Sequence, residues 1–173
     1  ASVNFYPVME NFSSLKGGLG YSVDGAYFIN SWFGVGGTFN HSLFNYKFDG
    51  YEGKTKASHL SFCANAYVKK SFGDKFTLMP NVGFGFSYAS IPDAERTIKQ
   101  GGIDVLQQID GYSLTGVMFN TMSIKGFYNF YKDMSANVSI EYMLSVTNKW
   151  PEKSFGEFLM IGVGYTYYLN FAK

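Results

Sequence analysis

Along most of this chain, apolar side chains recur at every second position. Between residues 155 and 171 one parity reads Leu159, Ile161, Val163, Tyr165, Tyr167, Leu169 and Phe171. The other parity is small or mixed: Gly156, Phe158, Met160, Gly162, Gly164, Thr166, Tyr168 and Asn170. Side chains of a β-strand alternate between faces with period two, so this segment reads as a strand with one greasy face. The pattern repeats upstream. Leu19, Tyr21, Val23, Tyr27 and Ile29 oppose Gly20, Ser22, Asp24 and Ala26, and Phe33, Val35, Phe39 and Leu43 oppose Gly34, Gly36, Thr38, Asn40 and Ser42. Residues 60–68, 76–87 and 134–144 alternate in the same way. Residues 114–131 are strand-like but less regular, which is what a β-bulge produces. The weakest segment runs from Val3 to Met9, short and interrupted by Pro7, and it counts as a strand partly because a closed barrel needs one there. Helical periodicity is nearly absent.

Eight strands follow, and their connections alternate in length. Short turns fall near Asn30-Ser31, Gly73-Asp74 and Lys132-Asp133, whereas longer segments cover 10–18, 47–57, 90–112 and 148–154. Short turns at one end, long loops at the other and an even strand count are the pattern of bacterial outer-membrane barrels. The expected fold class is all-β: an eight-stranded antiparallel up-and-down transmembrane β-barrel, one domain over residues 1–173. Both termini then lie at the short-turn end, in the periplasm. The start at Ala1-Ser2 fits a mature chain whose signal peptide has been removed.

Alternation alone does not say which face points outward, because a soluble lipocalin-type barrel alternates with its apolar face inside. Charge and aromatic placement decide it. The 14 Lys and Arg and 13 Asp and Glu fall almost wholly outside the strands, and only Asp24, Lys125, Glu141 and Glu157 lie well within them. A water-facing exterior needs charges along every strand, while Arg or Lys facing lipid at midplane costs roughly 2–4 kcal/mol. Aromatic residues, 20% of the chain, crowd toward the short-turn end, Tyr27, Trp32, Phe33, Phe76, Tyr128 and Tyr167 among them, as in an interfacial girdle. The apolar face is therefore expected to meet lipid. No run of about 18 apolar residues exists, which excludes a spanning helix. A net charge of +1 without a basic stripe gives no reason to expect nucleic acid. The single cysteine, Cys63, excludes an internal disulfide framework and a cysteine-based zinc site.

The whole chain resembles, as architecture, the small outer-membrane barrels of the OmpA and OmpX type. The most specific residues are the closing run Gly162-Val163-Gly164-Tyr165-Thr166-Tyr167-Tyr168-Leu169-Asn170-Phe171. It resembles the C-terminal signal read by the barrel assembly machinery, with Tyr165, Tyr167, Leu169 and Phe171 at alternate positions. The departure is that Ala172-Lys173 follow Phe171. The resemblance implies outer-membrane lipid and lipopolysaccharide around the barrel and the assembly machinery as a transient partner. No cofactor is implied.

A narrow eight-stranded interior is filled by its own side chains, and charges inside it must be paired. Parity turns Asp24, Lys125 and Glu141 inward. Centring the turn on Asp133 sets Lys125 directly opposite Glu141, so an inward ion pair joined by other polar groups is expected, as a structural plug rather than an ion path. Catalysis has little support. Some small barrels that deacylate lipid A use a histidine and a serine two residues apart, and His59-Leu60-Ser61 has that spacing, but parity points it into the barrel rather than toward lipid. His41 falls on the opposite, lipid-facing parity, so the two histidines do not converge on a metal. No catalytic residue or metal ligand is assigned, and the chain reads as a non-enzyme.

Residues 90–112 are the most informative connection, since loops beyond about 12–15 residues usually have a role. Asp93-Ala94-Glu95-Arg96 reads as the start of a helical turn, and Ile98, Ile103, Val105, Leu106 and Ile109 bring apolar side chains into a polar segment. They are the candidate surface for another outer-membrane protein or a host surface, or else the underside of a loop folded over its own barrel mouth. The leading functional expectation is a structural, adhesive or accessory-subunit role through external loops. The alternatives are a narrow conduit for small or hydrophobic molecules and a lipid A-modifying enzyme.

Overall fold

The computed structural model describes residues 1–8, 15–46, 55–147 and 156–168. Its strands are β1 (Ser2–Val8), β2 (Leu15–Phe28), β3 (Phe33–Tyr46), β4 (Thr55–Val68), β5 (Lys70–Phe72), β6 (Phe76–Ile91), β7 (Ala94–Gln100), β8 (Ile103–Ile109), β9 (Tyr112–Tyr131), β10 (Met134–Thr147) and β11 (Gly156–Tyr167). Neighbours pair antiparallel in the order β4-β3-β2-β1-β11-β10-β9-β6, and β6 pairs back onto β4. That closure leaves no free edge, so the ladders satisfy the backbone groups that hydrocarbon cannot. The short β5 continues β4 past Lys69, and the eight-stranded barrel expected from the alternation is the one observed.

The faces sort by parity. Outward positions are large and exposed: Leu19, Phe62, Phe84, Phe86 and Val163 each show more than half their surface. Inward positions are polar and buried, among them Asn4, Asp24, Thr38, Asn65, Asn120, Lys125, Asn137 and Glu141. A contiguous apolar exterior of this extent is a wall built for hydrocarbon.

Two irregularities carry consequences. The β9 ladder skips Thr121 in its pairing with β10 and shifts register at the same level against β6. Both Thr121 and Met122 face outward, so the inward parity of β9 changes there, from Met118 and Asn120 to Ser123, Lys125 and Phe127. That explains why this strand looks irregular in sequence. In β1, Pro7 pairs with Leu19 of β2 but has no partner on β11, consistent with a residue that lacks an N–H.

Residues 90–112 are not a helical loop. β6 runs on to Ile91, and residues 94–109 form a separate two-stranded hairpin with Ala94 opposite Ile109 and Gln100 opposite Ile103. The turn is Gly101-Gly102, with φ of 62° and 85°, a left-handed region costly for any residue with a Cβ. Thr97, Ile98, Ile103 and Val105 favour extended backbone, which outweighs the helix-like start at residues 93–96. The segments 10–14, 47–54 and 148–155 of the other expected loops lie outside the described residues.

Candidate functional site

Inside the barrel many of the polar side chains form a network around a charged centre. Lys125 Nζ on β9 lies 2.7 Å from Asp24 Oδ1 on β2 and 3.3 Å from Glu141 Oε1 on β10. Asp24 also accepts from Thr38 Oγ1 at 2.6 Å and from Asn4 Nδ2 at 2.7 Å. Asn65 Nδ2 donates to Thr38 Oγ1 at 2.8 Å, and Asn120 Nδ2 donates to Asn81 Oδ1 at 2.7 Å. All three charges are nearly fully buried, so each is held by ionic or hydrogen-bonded partners rather than by water.

The register differs from the one expected. Lys125 pairs with Ser139 and Glu141 with Ser123, because the turn sets Tyr131 opposite Met134 instead of being centred on Asp133 and β9 carries an extra residue at Phe130 beside it. The shift is even, so both side chains still face inward, but they meet diagonally. The shorter ion pair is the one to Asp24, which crosses the interior from a strand not adjacent to β9.

Apolar clusters flank this centre. Phe44, Ile91, Leu114, Met118, Met143 and Met160 pack together toward the long-loop end, and Tyr67, Met79 and Phe127 pack against Phe28 toward the short turns. His59 and Ser61 are buried inward, so they face the lumen and not a lipid substrate. Cys63 is a fully buried filler beside Thr38 and Gly85.

The hairpin divides its apolar residues by position. Ala94 is buried in the outer cluster, and Ile109 and Tyr112 pack against that cluster, so the base is anchored at the barrel mouth. Asp93 Oδ1 accepts from the Gly111 N–H at 2.7 Å and clamps the two legs. Ile98 is half-buried, whereas Ile103, Val105 and Leu106 near the tip are exposed. Ile98, Ile103 and Val105 share a face, and Leu106 lies on the other.

Sequence spacing missed one constellation on the outer wall. His41 Nε2 and Ser58 Oγ stand 3.1 Å apart across the β3–β4 ladder. Parity had turned His41 outward; only the cross-strand register, Leu43 opposite Ser58, reveals its partner. At the other end of the barrel, Tyr165 and Tyr167 of the closing run are exposed on the same wall, while Leu169 and Phe171 lie outside the described residues.

No protein-family model matches the chain, and no curated protein matches it in sequence. Solved structures do match it. Neisserial surface protein A (NspA) superposes with a TM-score of 0.64 at 11% identity, over 97% of this chain and 94% of that one. Ail, the attachment invasion locus protein of Yersinia pestis, solved with the heparin analogue sucrose octasulfate, gives 0.55 at 16% identity, over 96% and 94%. A second structure of Ail gives 0.52 at the same identity and coverage. The chain has the fold of the small eight-stranded outer-membrane β-barrels. At these identities the likeness speaks to the fold, and the role has to be argued from this chain's own surfaces.

Proposed function

We propose that this protein is an outer-membrane barrel that works through its β7–β8 hairpin, which holds a protein partner outside the cell. Both termini and the short turns then lie in the periplasm. The observation that carries this reading is the form of the hairpin. Its base is anchored in the barrel mouth, and its tip exposes Ile103, Val105 and Leu106. An anchored hairpin whose strands pair only with each other among the described residues offers an extended partner both ladder hydrogen bonds and apolar contact. Ail is described as an attachment protein, and an adhesive or accessory-subunit role fits the same architecture here. A binding role fits better than a conduit because buried charges and two packed apolar clusters occupy the described interior.

The test is crosslinking in whole cells followed by mild-detergent capture. It compares the native chain with one in which Ile103, Val105 and Leu106 are replaced by Ser, Thr and Gln. A partner retained by the native protein and lost by the variant, with the barrel still folded, supports the proposal. Identical partner recovery from both, or no crosslinked partner in either, refutes it.

A further inference from the structure

The outer wall carries a polar group where the pattern calls for an apolar one. On β3, His41 sits between Phe39 and Leu43, both exposed on the same face, and its imidazole meets the Ser58 hydroxyl. The Tyr21 ring packs edge-on against it, with centroids 5.5 Å apart. Ionisable residues at such positions are costly in hydrocarbon and by default mark a site.

Its depth follows from strand geometry. A strand tilted by about 40° advances roughly 2.5 Å along the membrane normal per residue. His41 is eight residues beyond Phe33 and so lies roughly 20 Å from the short-turn edge of an apolar band about 25 Å tall. Ser58, opposite Leu43, is at the far edge of that band. Lys56, opposite Asn45 and exposed, is one step further out, at headgroup level. The hydroxyls continue sideways, since Ser58 pairs with Ser90 and Ser90 with Ser113, both turned outward.

Directly beneath this polar shelf lies a largely apolar groove of about 390 Å³, lined mainly by Phe39, Leu60, Phe62, Phe86 and Tyr88, with Ser61, Ser87 and Thr115 also on its wall. Leu60 pairs with His41, so groove and shelf are continuous. Among the described residues, no carboxylate occupies the outward face of β2, β3, β4 or β6. The shelf thus offers a cation, an imidazole and several hydroxyls above an open apolar groove.

We infer that Lys56, Ser58 and His41 form a docking site for the phosphate-bearing headgroup of an outer-leaflet glycolipid, one of whose acyl chains lies in the groove below. Only a membrane component can reach a site on this wall. The phosphate is matched by Lys56 and the imidazole, and the sugar by the row of serines. The assignment to the outer leaflet rests on the orientation proposed above; the binding chemistry does not.

The experiment is native mass spectrometry of the refolded barrel in detergent, titrated with bisphosphorylated lipid A, with fully dephosphorylated lipid A and with phosphatidylglycerol. The native chain is expected to hold the bisphosphorylated lipid at least tenfold more tightly than either of the others. A Lys56→Gln/Ser58→Ala/His41→Leu variant is expected to lose that preference, and Lys132→Gln at the opposite rim to keep it. Equal binding of all three lipids, or a preference surviving in the triple variant, overturns the proposal. So does a native chain that shortens the bound lipid while Ser58→Ala does not, because the pair is then a reaction centre. None of these outcomes bears on whether the hairpin holds a partner, so the two readings fail separately.

Discussion

Asp24 and Glu141 share the ammonium of Lys125 inside a narrow barrel, and every carboxylate contact there replaces water. Removing one member of a buried ion pair leaves an uncompensated charge, whereas replacing the whole group by neutral side chains of similar volume is often tolerated. Lys125→Met alone should therefore cost about 3–5 kcal/mol. Combining it with Asp24→Asn and Glu141→Gln should recover most of that loss. Urea unfolding of the barrel in lipid vesicles measures both, and a single variant as stable as the native chain contradicts the account. That these three residues face inward was legible in the sequence, because facing depends only on parity. Which carboxylate lies nearest the ammonium was not. It depends on the extra residue at Phe130 and on a strand remote from β9 in sequence. The His41–Ser58 contact was hidden for the same reason: it is a fact of register between β3 and β4, and no spacing within one strand encodes it.

At the scale of elements, β9 and the β7–β8 hairpin show where alternation stops being enough. In β9 two consecutive outward residues, Thr121 and Met122, break the period, and a reader of the sequence sees only noise. Deleting Thr121 restores strict alternation without moving any neighbour to the wrong face. The deletion variant should refold, with its native heat-modifiable electrophoretic shift and a loss of roughly 1 kcal/mol for the hydrogen bond from Thr121 to the Tyr142 carbonyl. Failure of that variant to fold would show that the bulge is required for closure. In the hairpin the sequence contained both signals, extended-favouring side chains and a Gly-Gly turn, but the helix-like Asp93-Ala94-Glu95-Arg96 obscured them. Strand preference won because two paired strands satisfy each other's backbone groups, whereas one isolated helical turn does not.

For the whole molecule, the decisive feature is inversion. Polar groups fill the interior and apolar side chains form the exterior, the reverse of a soluble barrel. This was the most legible property of the chain, since period-two alternation and the rarity of charges in strands suffice to fix it. The lipid shelf and the hairpin tip were less legible, because both are assembled from residues on different strands. All the functional proposals depend on the inverted wall. It is tested most directly by spin labels placed one at a time at residues 135–144 in a Cys63→Ser background, in vesicles, with collisional accessibility to oxygen and to a water-soluble nickel complex. Oxygen accessibility is expected to peak at positions 136, 138, 140, 142 and 144 and to fall at 135, 137, 139, 141 and 143. Maxima at the odd positions, or nickel accessibility at the even ones in mid-strand, would contradict it.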